Sequence, residues 1–202
     1  GADTGNPPKI VYHPTSFDSD NHKGLTKRQI LEAQADNSED SFPCWTIHLL
    51  QPSNLQGLED NSTLPQGFAS IPKQDQGHTH GEETPRPDFE ANKTSTEYLS
   101  TIQQAQDDPT SPYFQESGLT PEDWILAFMT HLTETGKTLD DWQNGTESIT
   151  YLTGSFFPSS AFAPCACWFR GARRAYLNWY DPRIRAGYIG VRSSVMIQNL
   201  VP

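Results

Sequence analysis

The chain has 202 residues, 34% of them hydrophobic, and its 14 glycines and 16 prolines mark it as loop-rich, which suits one domain. A formal charge of −11 excludes the broad basic surface that nucleic-acid binding needs, and the longest apolar runs, WTIHLL and WILAFM, are too short to span a membrane. Three cysteines, Cys44, Cys165 and Cys167, do not make a disulfide framework. No signal peptide is visible and the chain opens on Gly1-Ala2 without an initiator Met, so the compartment and any upstream segment stay open.

Residues 1–24 read as an extended polar arm with one strand at 9–13, punctuated by Pro7, Pro8 and Pro14. The acidic clusters at 18–21 and 36–40 lack the spaced oxygen ligands and turn glycine of a calcium loop and read as solvated surface. A short helix is predicted over 25–35 with Thr26 as its cap, then a strand over 44–50. Residues 51–118 show almost no periodicity, so they are either an irregular insertion or a layer wrapped over the core, with one short helix at 95–106. Within that stretch His78-Thr79-His80, followed by Glu82 and Glu83, has ligand types for a transition metal but no second cluster, and reads as an exposed loop. The triplets starting at Asn61, Asn92 and Asn144 fit the glycosylation pattern, which also arises by chance in a chain rich in Asn, Ser and Thr.

Thr120-Pro121-Glu122-Asp123 is the clearest local signal: a cap, a proline at the first helical position and two acids at the positive helix end. The helix that follows places Trp124, Phe128 and His131/Leu132 on one face with Ile125 and Met129 beside them, and Gly136 ends it. His131 reads as a boundary residue of that face. A turn at 139–142 leads to Asn144-Gly145, a strand is predicted over 148–157, and 189–197 alternates as a closing strand. Between Pro158 and Ile189 neither helix nor strand period is followed.

The tail over 154–192 differs from the rest of the chain. It holds six arginines, no lysine, one acid (Asp181), and nine of the 22 aromatic residues. Arginine and aromatic enrichment of this kind is the composition of a recognition surface.

The tail's motif, Gly154-Ser155-Phe156, Arg170-x-Ala172-x-Arg174 and Asp181-Pro182-x-x-Arg185-x-x-x-Ile189-Gly190-Val191-Arg192, resembles the C-terminal signature of the formylglycine-generating-enzyme-like branch of the C-type lectin fold. It is closer still to the variable proteins of diversity-generating retroelements. The resemblance covers about residues 120–194 and is most specific over Arg185 to Arg192. It implies a single α+β domain over 1–202 of C-type lectin fold, with 51–118 as insertion or wrapping segment and 154–192 as a variable, ligand-binding region. It also implies a sorting of the tail, with Arg170, Arg174, Pro182, Arg185 and Arg192 as scaffold. In that family diversification mutates template adenines, largely in AAC codons, so displayed residues have codons ending in C. Ser159, Ser160, Phe162, Cys165, Cys167, Arg173, Tyr176, Arg183, Ile184, Ala186, Gly187 and Tyr188 are all reachable that way. Trp168 and Trp179 are not and fall to the scaffold.

The expectation is therefore a binding module, not an enzyme, with no cofactor and no metal. Its ligand is expected to be a protein, with carbohydrate left open, and the chain to be a monomer with no nucleic-acid partner and no membrane span. Two alternatives stand beside it. In formylglycine-generating enzymes a cysteine pair handles copper and oxygen chemistry, and Cys165-Ala166-Cys167 offers two thiols, though spaced more closely than that family's pair. Alternatively the tail arginines pair with the excess acids of 1–153 in a structural surface domain.

Overall fold

Two capped helices on opposite faces of one twisted sheet organise the chain. The computed structural model describes residues 8–36, 47–51, 71, 87–142 and 148–197. The His78/His80 loop, Cys44, Asn61 and Asn144 lie outside these residues, as do 52–70 and 72–86, the bulk of the stretch expected to lack regular structure. What is described is mixed helix and strand, an α+β chain.

The helices form where the caps dictate. In α1 (Lys27–Asp36) the Thr26 hydroxyl accepts from the Gln29 amide while the Gln29 side chain accepts from the Thr26 amide. Thr94 and Glu97 make the same reciprocal pair at the start of α2 (Ser95–Ala105), and Thr120 and Asp123 at the start of α3 (Pro121–Thr135). Pro121 occupies the first turn of α3, and Gly136 ends it in the left-handed region at φ 68°.

The main sheet is built on β7 (Ala163–Phe169). Along one edge it pairs antiparallel with β5 (Ile149–Tyr151) and then parallel with β4 (Asp141–Trp142); along the other it pairs antiparallel with β8 (Arg174–Tyr180). Next to β5 lies β9 (Ile189–Val191), parallel to it. Alternate residues of β7 serve the two faces. Ala163, Cys165 and Cys167 join a cluster with Tyr98, Leu99 and Ile102 of α2, whereas Ala166 joins Trp124, Ala127 and Phe128 of α3. Each large apolar side chain buried here, such as Leu99, Ile102 or Phe128, contributes about 1.5–3 kcal/mol. Two smaller sheets flank the main one: β1 (Val11–Tyr12) with β6 (Ser155–Phe156), and β2 (Ile47–Leu50), β10 (Ser193–Ile197) and β3 (Glu116–Gly118).

Several expectations are corrected. The strand predicted over 148–157 is two strands in different sheets, β5 and β6, because the chain turns at Gly154. A Cβ there would lie 2.3 Å from the Gly118 carbonyl oxygen, so only glycine allows the approach. The closing strand is likewise two, β9 and β10, parted at Arg192. The turn expected at 139–142 contains β4. The stretch from Pro158 to Ile189 is not irregular but carries the β7–β8 hairpin. The apolar face of α3 is narrower than expected: Trp124, Ala127, Phe128 and His131 are buried, while Ile125 and Met129 are exposed.

Asp140 joins the layers. It is buried, at φ 51°, and its carboxylate accepts from Arg192 (Nη2 to Oδ1, 2.7 Å) and from Trp124 Nε1 (2.9 Å). Its carbonyl oxygen accepts the amides of Trp168 and Trp142. Replacing Asp140 with Ala leaves a buried guanidinium without its counter-charge, and urea unfolding is expected to show a loss of about 3–5 kcal/mol. The Asp140→Ala/Arg192→Met double variant should lose less than the two single losses added together.

Candidate functional site

At the far end of β7 an aromatic row crosses the sheet. The parallel register of β4 sets Trp142 opposite Phe169, and their rings stack at 5.5 Å and 23°. Tyr188, just before β9, lies 6.0 Å from Trp142 on one side, and Tyr176 of β8 lies 6.3 Å from Phe169 on the other. The Arg174 guanidinium sits over the Tyr176 ring at 5.3 Å, within cation–π range. A 3-10 turn at Arg170–Ala172 and Arg173 in the left-handed region (φ 51°) reverse the chain between β7 and β8, which brings Arg174 and Tyr176 alongside. Tyr176 and Tyr188 are exposed, while Trp142 and Phe169 are half-buried beneath them. The result is a rigid, open aromatic strip with a cation at one end.

The residues expected to be displayed fall into three groups. Arg173, Tyr176 and Tyr188 lie at the strip, and all three are exposed. Ser159, Ser160 and the half-buried Phe162 sit at the opposite end of β7, about 20 Å away for a seven-residue strand. Arg183 and Ile184 follow β8 on that side and are exposed, with the Ile184 carbonyl oxygen accepting from Tyr151 Oη. Ala186 is half-buried and packs on the core, whereas Gly187 is exposed with open space where a side chain would go.

Cys165 and Cys167 are corrections. Both side chains point into the α2-side core, at 1% and 4% exposure, because β7 is covered on both faces. Burial, and then the carboxylates of Asp140 and Asp141, push the Cys167 thiol up to about 12. Burial, with Cys167 beside it, raises Cys165 too. Two thiols held protonated at neutral pH are a poor fit to a soft-metal site, which binds thiolate. Trp179 is corrected the other way: expected in the scaffold, it is 54% exposed. Trp168 does lie in the scaffold, stacked on Phe128.

The arginines also separate. Arg192 is buried on Asp140, Arg170 pairs with Asp141, Arg185 with Glu97 at 2.6 Å, and Arg183 with Asp181 at 2.6 Å. The hydrogen bond from Arg183 holds the Asp181 carboxyl down to about 2. Arg174, expected in the scaffold, is exposed, and neither it nor Arg173 makes an ion pair with a described residue. Reasoning from sequence missed Trp142 and Phe169 altogether. Trp142 lies outside the tail, and a parallel pairing across 27 positions leaves no local signal.

Away from the strip, a polar cavity of about 540 Å³ is lined by His13, His48, Gln106, Gln115 and Glu116 among others. Burial lowers His13, and His48 Nδ1 lies 2.9 Å from Ser194 Oγ. Among the described residues no group of three His, Cys, Asp or Glu side chains is arranged to hold a metal ion, and no helix is long and apolar enough to cross a membrane. No family model, curated protein or solved structure matches the chain.

Buried thiols set a pH dependence. The unfolded chain releases the Cys167 proton near 9.0, while the folded chain keeps it to about 12. Stability is therefore full below pH 9 and declines from there towards pH 12. The urea midpoint should fall across that window, and Cys167→Ala should flatten part of the fall. With Cys44 replaced by Ser, a thiol reagent at pH 8 should find Cys165 and Cys167 unreactive until urea unfolds the chain.

Proposed function

We propose that the chain is a non-catalytic ligand-binding module of C-type lectin fold, of the kind diversified by retroelements, and that its ligand is a protein. The observation that carries this reading is the aromatic row Tyr188–Trp142–Phe169–Tyr176, exposed at its two tyrosines and closed by Arg174. Rigid aromatic rings offer large contact area at low entropic cost, and arginine adds directional hydrogen bonds. These are the residue types that dominate protein-binding hot spots. Two of the four rings, Tyr176 and Tyr188, stand at positions the resemblance assigns to the exchangeable set, and the two beneath them stand outside that set. A fixed aromatic floor under a changeable surface suits a scaffold that must keep its shape while its specificity varies.

Charge plays a smaller part than composition implied. Four of the six tail arginines are engaged by carboxylates, three of these from outside the tail, which is what a structural surface domain would do with them. The cations left to meet a ligand are Arg173 and Arg174, both at the strip, so an acidic group on the ligand is expected at that end. The burial of Cys165 and Cys167 supports reading the tail as non-catalytic.

Two experiments test the proposal. The gene should use C-ending codons at the displayed positions and be followed by a near-repeat of the tail's coding sequence beside a reverse transcriptase gene; absence of both removes the retroelement reading. A surface-display library randomised at Arg173, Tyr176, Arg183, Ile184, Gly187 and Tyr188 should leave most members folded, at a cost of about 0.5 kcal/mol or less for a typical single substitution. It should also give binders to an unrelated immobilised protein. In those binders Trp142→Ala should weaken affinity by about tenfold or more. A library that largely unfolds, or binders indifferent to Trp142, would argue against the strip as the site.

A further inference from the structure

Among the described residues β8 is an edge strand with few of the usual protections. It pairs with β7 at all seven of its residues without a bulge, and among the described residues no other strand pairs with it. Natural edges are blunted by proline, lysine, bulges, shortness or a covering segment, since a long open edge recruits another strand. Arg174–Tyr180 contains no proline, lysine or acid, and exposes apolar side chains on both faces: Tyr176 (37%) on one, Leu177 (46%) and Trp179 on the other.

We propose that β8 is the contact between two copies of this chain, paired antiparallel about a two-fold axis at Leu177, in place of the monomer expected from the sequence. The strand is complementary to itself in this register. Leu177 meets Leu177 of the second copy, and on the same face Trp179 covers the small Ala175. On the other face Tyr176 stands across from Asn178 and Arg174 across from Tyr180, a cation–π pair. Just beyond the strand ends Arg173, without an ion pair among the described residues, faces Asp181. That carboxylate already accepts from the Arg183 amide, Nε and Nη2, but its roughly four lone-pair sites leave room for another donor. Moving the axis by one residue unpairs two strand residues at each end and separates Arg173 from Asp181. Parallel pairing sets Arg174 beside Arg174. Self-complementarity, with a basic start and an acid at the end, is what selects a second copy over a foreign strand.

An axis normal to the sheet keeps like faces together, so the main sheet runs on through the dimer and both aromatic strips face the same side. A ligand with two matching epitopes would then be held bivalently, although the dimer itself does not depend on what the strips bind.

Sedimentation velocity on the full chain should show a dimer at about 100 µM that dissociates on dilution, and Leu177→Lys, which sets two ammonium groups on the axis, should sediment as monomer with an unchanged circular-dichroism spectrum. Register is read by cross-linking in a Cys44→Ser background. Opposed Cα atoms lie about 4.5–5.5 Å apart, within disulfide reach, so Leu177→Cys alone should oxidise to a covalent dimer. Ala175→Cys should cross-link efficiently only when mixed with Trp179→Cys. A wild-type monomer at about 100 µM, a dimer that survives Leu177→Lys, or failure of Leu177→Cys to cross-link overturns the proposal, the first of these pointing instead to a foreign strand at this edge.

Discussion

The buried pair of Asp140 and Arg192 is the constraint on which the rest of the architecture depends. Both side chains are 1% exposed, and two charges so far from water are tolerable only because each is met by a partner of matching geometry. Asp140 reaches this position by adopting a left-handed backbone, an unusual but available state for aspartate. From there it ties α3, β4, β7 and the β9–β10 junction together. Its carboxylate holds Trp124 of α3, its carbonyl oxygen holds the amides of Trp142 in β4 and Trp168 in β7, and its charge draws in the guanidinium between β9 and β10. Arg192 must point inward to meet it, which is why the last strand of the chain is broken there and divides between two sheets.

The aromatic strip is a consequence of that junction. β4 is only two residues long, and it is held by the hydrogen bonds to the Asp140 carbonyl, the Arg170–Asp141 ion pair and its pairing with β7. Once β4 is held parallel to β7, Trp142 has to lie against Phe169, and the strip then extends to Tyr188 and Tyr176 on strands that β5 and β7 already order. A site whose central ring depends on a buried ion pair is stiff, and stiffness lowers the entropic cost of binding.

What was legible in the sequence was local chemistry. Thr120, Pro121, Asp123 and Gly136 define α3 to within a residue, because caps and breakers act through neighbours a few positions away. Thr26 and the helix at 95–106 follow for the same reason. What was not legible was the β7–β8 hairpin. Residues 163–167 are buried on both faces and 174–177 exposed on both, so neither strand shows the alternation that a half-buried strand writes into its sequence. The two cysteines were misplaced by the same omission: without the strand, nothing distinguished an inward position from a displayed one. Arginine count misled in another way. Arg170, Arg185 and Arg192 take their partners from Asp141, Glu97 and Asp140, and such long-range pairings cannot be read from the composition of one segment.

The β7–β8 hairpin then carries two surfaces with different demands. The face with Tyr176 and Arg174 belongs to the strip, the surface proposed to meet a ligand. Hydrogen bonding along the outer edge uses backbone groups, which are the same whatever the side chains are, so an edge contact survives changes at Tyr176 that would abolish a contact made through its ring. Trp179, Leu177 and Ala175 face away from the strip, and in the proposed pairing their packing acts together with the approach of Arg173 to Asp181 to fix the register. If both proposals hold, placing binding and assembly largely on opposite faces of one strand would let specificity drift while assembly stays constant. Trp179 is 54% exposed, and in the proposed pairing it would lie against Ala175 of the second copy, where a larger residue would leave it no space.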